Sequence, residues 1–364
     1  MSAQLAKQGP YDDGDQQPDA YAIAYSGSYA VNEQAGTVDH QLQVSVIPDW
    51  VGSTQTRQVR FPEQGRLVLT AEGSPHEGET TTIVWERQPP ARQPSLRYDV
   101  FVAPESPFTA PPPRVGDPPA WDPKTSTLIF GARDAVLVDA LTTVREATAL
   151  AEWVALHDRR LTTIYITHGH GDHWLGLAVL LDRFPDARAV ATAKTVELMR
   201  TGPRGEASFR ALFPGQIAEK VAMAEPLGPD QLELEGLPLQ VVETGHTDTV
   251  DTTSLYVPDL GLIVSGDVAY NHCHMYVAAT DAAIRAEWIA ALDRLAALDP
   301  AAVVTGHKDP TQGNPPSVLA ESRGYIEYYG QLRDAGTPEQ ELFDAMVGRY
   351  PDWVSRQQFL IVGE

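Results

Sequence analysis

Two textures divide the chain. Over residues 21–86 apolar and polar positions alternate with a period of two, interrupted by short glycine-bearing breaks. That period places every second side chain on one face, so it predicts strands over 21–31, 37–46, 55–61, 66–70 and 80–86. Gly36, Gly52, Gly65, Gly73 and Gly78 mark the turns, and the expected result is an antiparallel meander. After Trp121 the pattern changes. Strand-length apolar runs at 127–130, 135–138, 162–167 and 189–192 alternate with helix-length segments at 144–157, 175–184, 194–200 and 206–212. This is the signature of an α/β fold. Further helices are predicted over 282–298, 317–334 and 338–349. In the first of these Ile284, Trp288, Leu292 and Leu295 share one face, a stripe that belongs to the core.

Between the textures lies a linker over 89–123, with prolines at 89, 90, 94, 104, 107, 111, 112, 113, 118, 119 and 123. Extended chain is expected there, with one strand over 97–103 opening the α/β domain. The resulting plan has a disordered segment at 1–19, a β domain at 20–88, the linker, an α/β domain at 97–335 and a helical tail at 336–364.

Composition narrows the function. A formal net charge of −22 repels nucleic-acid phosphate. The single cysteine, Cys273, excludes an intramolecular disulfide, which fits a reducing compartment. The first twenty residues lack a signal peptide's apolar core, and no run reaches the about eighteen apolar residues of a membrane span. The expectation is a cytoplasmic protein with a small-molecule substrate and neither nucleic acid nor membrane as partner.

The chemistry concentrates in residues 166–173, Ile-Thr-His-Gly-His-Gly-Asp-His. His168, His170, Asp172 and His173 stand where an apolar strand meets a loop, and Gly169 and Gly171 let the backbone fold tightly. The chain has ten histidines, so this clustering is not casual. Imidazole nitrogen and carboxylate oxygen suit Zn²⁺, usually four ligands to an ion. One ion would not normally use all four neighbours, so the run points to two. Three later segments repeat one design, an apolar run, then Thr-Gly or Ser-Gly, then a single ligand-type residue: His246, Asp267 and His307. In α/β folds, sites gather at the carboxyl ends of strands.

The His-x-His-x-Asp-His motif followed by these three residues resembles the metallo-β-lactamase superfamily, over about residues 97–335. The resemblance implies an αββα sandwich with a dinuclear site at one edge. It implies that His168, His170 and His246 hold one metal, that Asp172, His173 and His307 hold the second, and that Asp267 bridges them. The implied cofactor is two Zn²⁺, with iron or manganese as alternatives. Residues 20–88, with Tyr25-Ser-Gly-Ser-Tyr-Ala-Val and Pro48-Asp-Trp-Val-Gly52, resemble the bacterial lipocalin-like domain. The match lacks that family's first elements, so its open edges need another surface, and a homo-oligomer through this segment is one way to supply it.

Two such metals make a nucleophile from water at neutral pH and polarise a carbonyl, so hydrolysis of an ester, lactone or thioester is expected. Asp172 is the candidate for orienting the nucleophile and carrying a proton. Tyr270 is a candidate oxyanion donor, as in lactonases of the superfamily, and His274 a candidate for substrate or metal contact. Lys308 is a candidate for a substrate carboxylate or for an internal salt bridge. Cys273 lacks a base–orienter arrangement and is expected to be inert. The alternatives are a β-lactamase-type amide hydrolase, an iron-dependent oxidoreductase on the same fold, and a non-catalytic metal-binding protein.

Overall fold

The computed structural model describes residues 2–6, 22–45, 48–63, 66–72, 80–86, 95–103, 108–109, 115, 121–228 and 232–361. Within it the chain divides into two units, Met1–Gln93 and Pro94–Glu364.

The period-two texture of the first unit forms a six-stranded meander. Ser2–Ala6, Ala22–Asn32, Thr37–Ser45, Thr54–Glu63, Arg66–Glu72 and Thr80–Glu86 lie side by side in chain order, each antiparallel to the next. Five of the six strands match the alternation read above. Ser2–Ala6 differs from the expected disorder over 1–19. It takes up the free edge of Ala22–Asn32, pairing Gln4 with Ala24. Residues 7–19 lie outside the described residues. Val38 and Leu69 are buried together, with Val59 and Leu67 against them.

In the second unit two sheets meet face to face. The first runs Glu225–Pro226, Arg188–Ala191, Arg160–Tyr165, Asp134–Val138, Thr125–Phe130 and Arg97–Val102 across the sheet. Its first four strands are parallel and its last three antiparallel. The second sheet is Gln240–Gly245, Thr252–Val257, Leu262–Val264 and Ala302–Val304. Alternation along the strands explains the layers. Ile129, Val136 and Val138 point between the sheets, where they meet Leu255, Leu262, Val264 and Val304. Leu128, Ala135 and Leu137 point the other way, onto Leu150, Val154, Leu177 and Leu180 of helices Val144–Leu156 and Leu177–Arg183. On the far side Ile263 and Val303 meet Trp288, Leu292 and Leu295 of Ala282–Ala296. The layers are therefore helix, sheet, sheet, helix, as the resemblance implies.

Local signals start these helices. Thr143 accepts from the Glu146 backbone N–H, and the Glu146 carboxylate accepts from the Thr143 N–H, a closed capping box. Asp281 caps Ala282–Ala296 more simply, its carboxylate accepting from the Ile284 N–H. The tail expected at 336–364 is not a separate element. Leu342, Phe343 and Met346 of helix Glu339–Arg349, with Trp353 and Phe359, are buried in the same core as Trp288 and Tyr325. Their apolar face explains this, since a helix this short is stable only when that face is covered. Among the described residues no helix is long and apolar enough to cross a membrane.

Candidate metal centre

The carboxyl ends of five strands converge on one rim. Asp139 follows Asp134–Val138, His168 follows Arg160–Tyr165, Asp248 follows Gln240–Gly245, Asp267 follows Leu262–Val264 and His307 follows Ala302–Val304. Two groups of side chains form there. One is His168, His170, Asp248 and Asp267, and the other is Asp172, His173 and His307, all buried. Asp267 lies between them. Its Oδ1 is 3.2 Å from His173 Nε2, and its Oδ2 is 3.2 Å from His307 Nε2 and 3.7 Å from His168 Nε2.

The groups have the character of ligands rather than of core polar residues. His168 Nε2, His173 Nε2, Asp172 Oδ1 and Asp267 Oδ1 are buried and make no hydrogen bond. Buried polar atoms normally find partners, and buried carboxylates are costly unless paired or bound to a cation. Nitrogen and carboxylate donors converging from several strands fit divalent cations such as zinc. Within the groups His173 and His307 act as counter-ions to the carboxylates. Burial pushes the Asp267 carboxyl up, but His307, His173 and His168 outweigh it and hold Asp267 well below the ordinary carboxylate range. Burial alone would lower His173, yet Asp267, Asp139 and Asp172 raise it well above the usual imidazole value. His168 goes the other way, to about 4, through burial and the neighbouring His173. Metal binding to such a centre must displace protons.

The metallo-beta-lactamase superfamily matches residues 119–307, more than half of the chain, and a lipocalin-like domain matches residues 2–88. The chain belongs to the metallo-beta-lactamase superfamily. Among solved structures it is similar to a metallo-beta-lactamase family protein from Thermus thermophilus, at 19% identity and TM-score 0.47, with 72% of this chain and 91% of that one covered. VMB-1 shares 14% identity at TM-score 0.46, with 75% and 97% covered. A metallo-beta-lactamase from Pontibacter korlensis shares 16% at TM-score 0.41, with 74% and 99% covered. No curated protein matches the chain.

For this member of the metallo-beta-lactamase superfamily, six of the seven sequence-read ligands come together: His168, His170, Asp172, His173, Asp267 and His307. His246 does not, and Asp248 occupies the group it was expected to complete. The cause is the loop after Gly245. A register shift between Glu243 and Gly245, with Gly245 at φ +81°, turns the chain so that His246 is left half-buried outside both groups. Thr247 Oγ1 then donates to Asp248 Oδ1 at 2.9 Å and steadies the carboxylate, whose Oδ2 is 2.8 Å from His170 Nδ1.

Asp139 was not foreseen. Its carboxylate accepts from the Thr167 N–H at 2.9 Å and the Thr167 hydroxyl at 2.9 Å, and it receives His173 Nδ1 at 2.9 Å. That contact places the His173 proton on Nδ1 and frees Nε2 for the centre, the usual task of a carboxylate behind a ligating histidine. Thr167 Oγ1 also stands 3.0 Å from His168 Nδ1, so one Asp–Thr pair positions two ligands.

Tyr270 lies in the site. Its hydroxyl donates to Asp267 Oδ2 at 3.2 Å, and its ring stacks on His307 with centroids 5.3 Å apart. Burial first, then Asp267, raises its pKa well above the ordinary value, so it stays a phenol. Lys308 is committed elsewhere, donating from Nζ to Asn314 Oδ1 at 2.6 Å and to the Gly313 carbonyl at 3.1 Å.

His274 is also elsewhere. It is packed among Tyr325, Trp353 and Phe359, with Nδ1 2.9 Å from the Tyr325 hydroxyl. The aromatic side chains that enclose it come from the last forty residues, and they take it out of reach of substrate and metal roles. Burial, then Arg356, lowers its pKa from 6.5 to about 3. Above 6.5 neither folded nor unfolded chain carries this proton. Between 6.5 and about 3 only the unfolded chain binds it, so stability falls with pH, and below about 3 the loss is complete. Within that window each pH unit costs about 1.4 kcal/mol. His274→Gln is expected to flatten the acid limb of a denaturation-against-pH curve. An unchanged slope between pH 6 and pH 4 would contradict this assignment.

Proposed function

We propose that the protein is a dinuclear, zinc-dependent hydrolase of a small ester, lactone or thioester. The observation that carries the reading is the pair of adjoining buried His/Asp groups with Asp267 reaching both. His168, His170 and Asp248 would hold one ion, Asp172, His173 and His307 the other, and Asp267 would be shared. When bound, two such ions supply a water acidic enough to attack at neutral pH and a Lewis acid for the carbonyl oxygen. The chain's own groups do the rest. Asp139 and Thr167 hold His173 and His168 in one orientation. Asp172 is held below the ordinary carboxylate range, with burial opposing and His173 and His307 prevailing, so it is a ready proton acceptor only for a stronger acid. Tyr270, kept protonated, is a fixed donor beside Asp267. The acidic chain favours a small substrate over a polyanion.

The test is a panel of lactones, thioesters, aryl esters and β-lactams on zinc-loaded protein, with dioxygen uptake followed on iron-loaded protein. Turnover of an ester, lactone or thioester that disappears on chelation and returns with zinc is the expected result. Cleavage confined to β-lactams, or dioxygen consumption with iron and no hydrolysis with zinc, would overturn it, since ligand type alone separates these metals poorly.

A further inference from the structure

A guanidinium lies beside the metal groups, within the influence of both. Arg204 lies in the loop between helices Ala193–Thr201 and Glu206–Leu212. Its carbonyl accepts from the Gly171 N–H at 2.9 Å, which ties this loop to the first residue of the helix that carries Asp172 and His173. Its side chain is half-buried, 4.2 Å above the Tyr276 ring and 5.8 Å from the Trp121 ring. The Tyr276 ring in turn stands 6.3 Å from His170. Burial disfavours its charge, but Tyr276, to which the guanidinium also hydrogen-bonds, and then Asp172 and Asp248, one from each metal group, hold it protonated, and among the described residues no carboxylate forms an ion pair with it.

Location and charge together define its task. His170 and Asp248, each 7% exposed, are the least buried members of the two groups, and Tyr276, which carries Arg204, stands beside His170. A planar guanidinium held against Tyr276 by a cation–π contact and a hydrogen bond is already ordered, and its fork matches a carboxylate. Lys308, the cation that the sequence suggested for this purpose, is spent on Asn314 and Gly313.

We propose that Arg204 is the specificity-determining residue of the site and receives a carboxylate borne by the substrate, making the preferred substrate an anionic carbonyl compound rather than a neutral one. The proposal rests on the hydrolase reading for its reaction but not for its anion site. The zinc-loaded wild type, Arg204→Gln and Arg204→Lys are compared on mono-4-nitrophenyl succinate and on 4-nitrophenyl acetate, which share a leaving group and differ in the carboxylate. In Arg204→Gln the ratio of kcat/KM for the charged ester to that for the neutral one is expected to fall about 10–100-fold, mainly through KM, as when a charge-assisted hydrogen bond is lost. Arg204→Lys is expected to restore part of the ratio, and zinc content to hold in both. A ratio that moves less than about 3-fold, or loss of zinc with both esters falling together, overturns the proposal and leaves Arg204 a support for Asp172 and Asp248.

Calorimetric titration with the anion succinamate and the neutral succinamide reads the site without turnover. If the wild type hydrolyses neither ester but binds succinamate in an Arg204-dependent way, the hydrolase reading fails and the anion site stands. Equal succinamate binding by the wild type and Arg204→Gln overturns the anion site whatever the activity.

Discussion

Asp248→Ala is expected to strip the protein of one metal ion and nearly all hydrolysis, while His246→Ala keeps both metals and most of the activity. The contrast is the sharpest consequence of the loop after Gly245. Asp248 Oδ2 lies 2.8 Å from His170 Nδ1 and 3.6 Å from His168 Nε2, whereas His246 belongs to neither group. Loss of an outer-sphere partner of a ligand typically costs about 10–100-fold in metal affinity or activity. Loss of a ligand itself should cost more, about 10³-fold in kcat/KM, and no other described carboxylate lies in that group to replace it except Asp267. Elemental analysis and kcat/KM on the best ester of the panel, measured for both variants side by side, check the expectation. The opposite pattern, with His246→Ala the damaged variant, would mean that this loop holds a histidine to the metal.

A single methyl group in the wrong place should be almost as damaging. Gly306 passes so close to the opposing loop that a Cβ there would sit 2.1 Å from Asp267 Oδ1, 2.9 Å from the Gly266 carbonyl carbon and 3.1 Å from His173 Cε1. The two backbones are joined there, the Gly306 N–H donating to the Gly266 carbonyl at 2.8 Å. Neither atom can yield cheaply, because the Gly266 backbone sits at φ +54° and its own Cβ position is filled by Thr167. In Gly306→Ala the strain must therefore go into Asp267, the carboxylate that, among the described residues, reaches both groups. Overpacking of this kind costs about 1–3 kcal/mol in stability. Activity is expected to fall much further, by at least about 100-fold, because both metals lose a common ligand. Thermal denaturation and zinc stoichiometry measured together separate the two effects. A variant with full zinc content and activity would show that the loops relax apart without moving Asp267.

The strand–helix alternation of this chain is legible because its layers are built on period two. Leu128, Ala135 and Leu137 face helices while Ile129, Val136 and Val138 face the other sheet, so both faces of the strands read as apolar. Ligand-type residues set one short Ser-Gly or Thr-Gly spacer beyond a strand are legible for the same reason, as Asp267 and His307 are. Asp248 was hidden because a glycine in a positive-φ conformation and two threonine hydrogen bonds decide which residue of the loop turns inward. Asp139 carries a different signal, an aspartate directly after the apolar strand Asp134–Val138 without the Thr-Gly or Ser-Gly spacer of the other strand ends. His274 was misleading in the opposite sense. It lies four residues after Tyr270, but Tyr325, Trp353 and Phe359, far along the sequence, close around it. Arg204 had no signal at all in a chain read one segment at a time, since its meaning comes from Tyr276 and the two metal groups meeting it in space.

Anomalous diffraction at the zinc edge from crystals of the zinc-loaded protein tests the central claim most directly. Two peaks per chain are expected, one among His168, His170, Asp248 and Asp267, the other among Asp172, His173, His307 and Asp267. A single peak, or a first peak bound by His246 with Asp248 turned away, would contradict it.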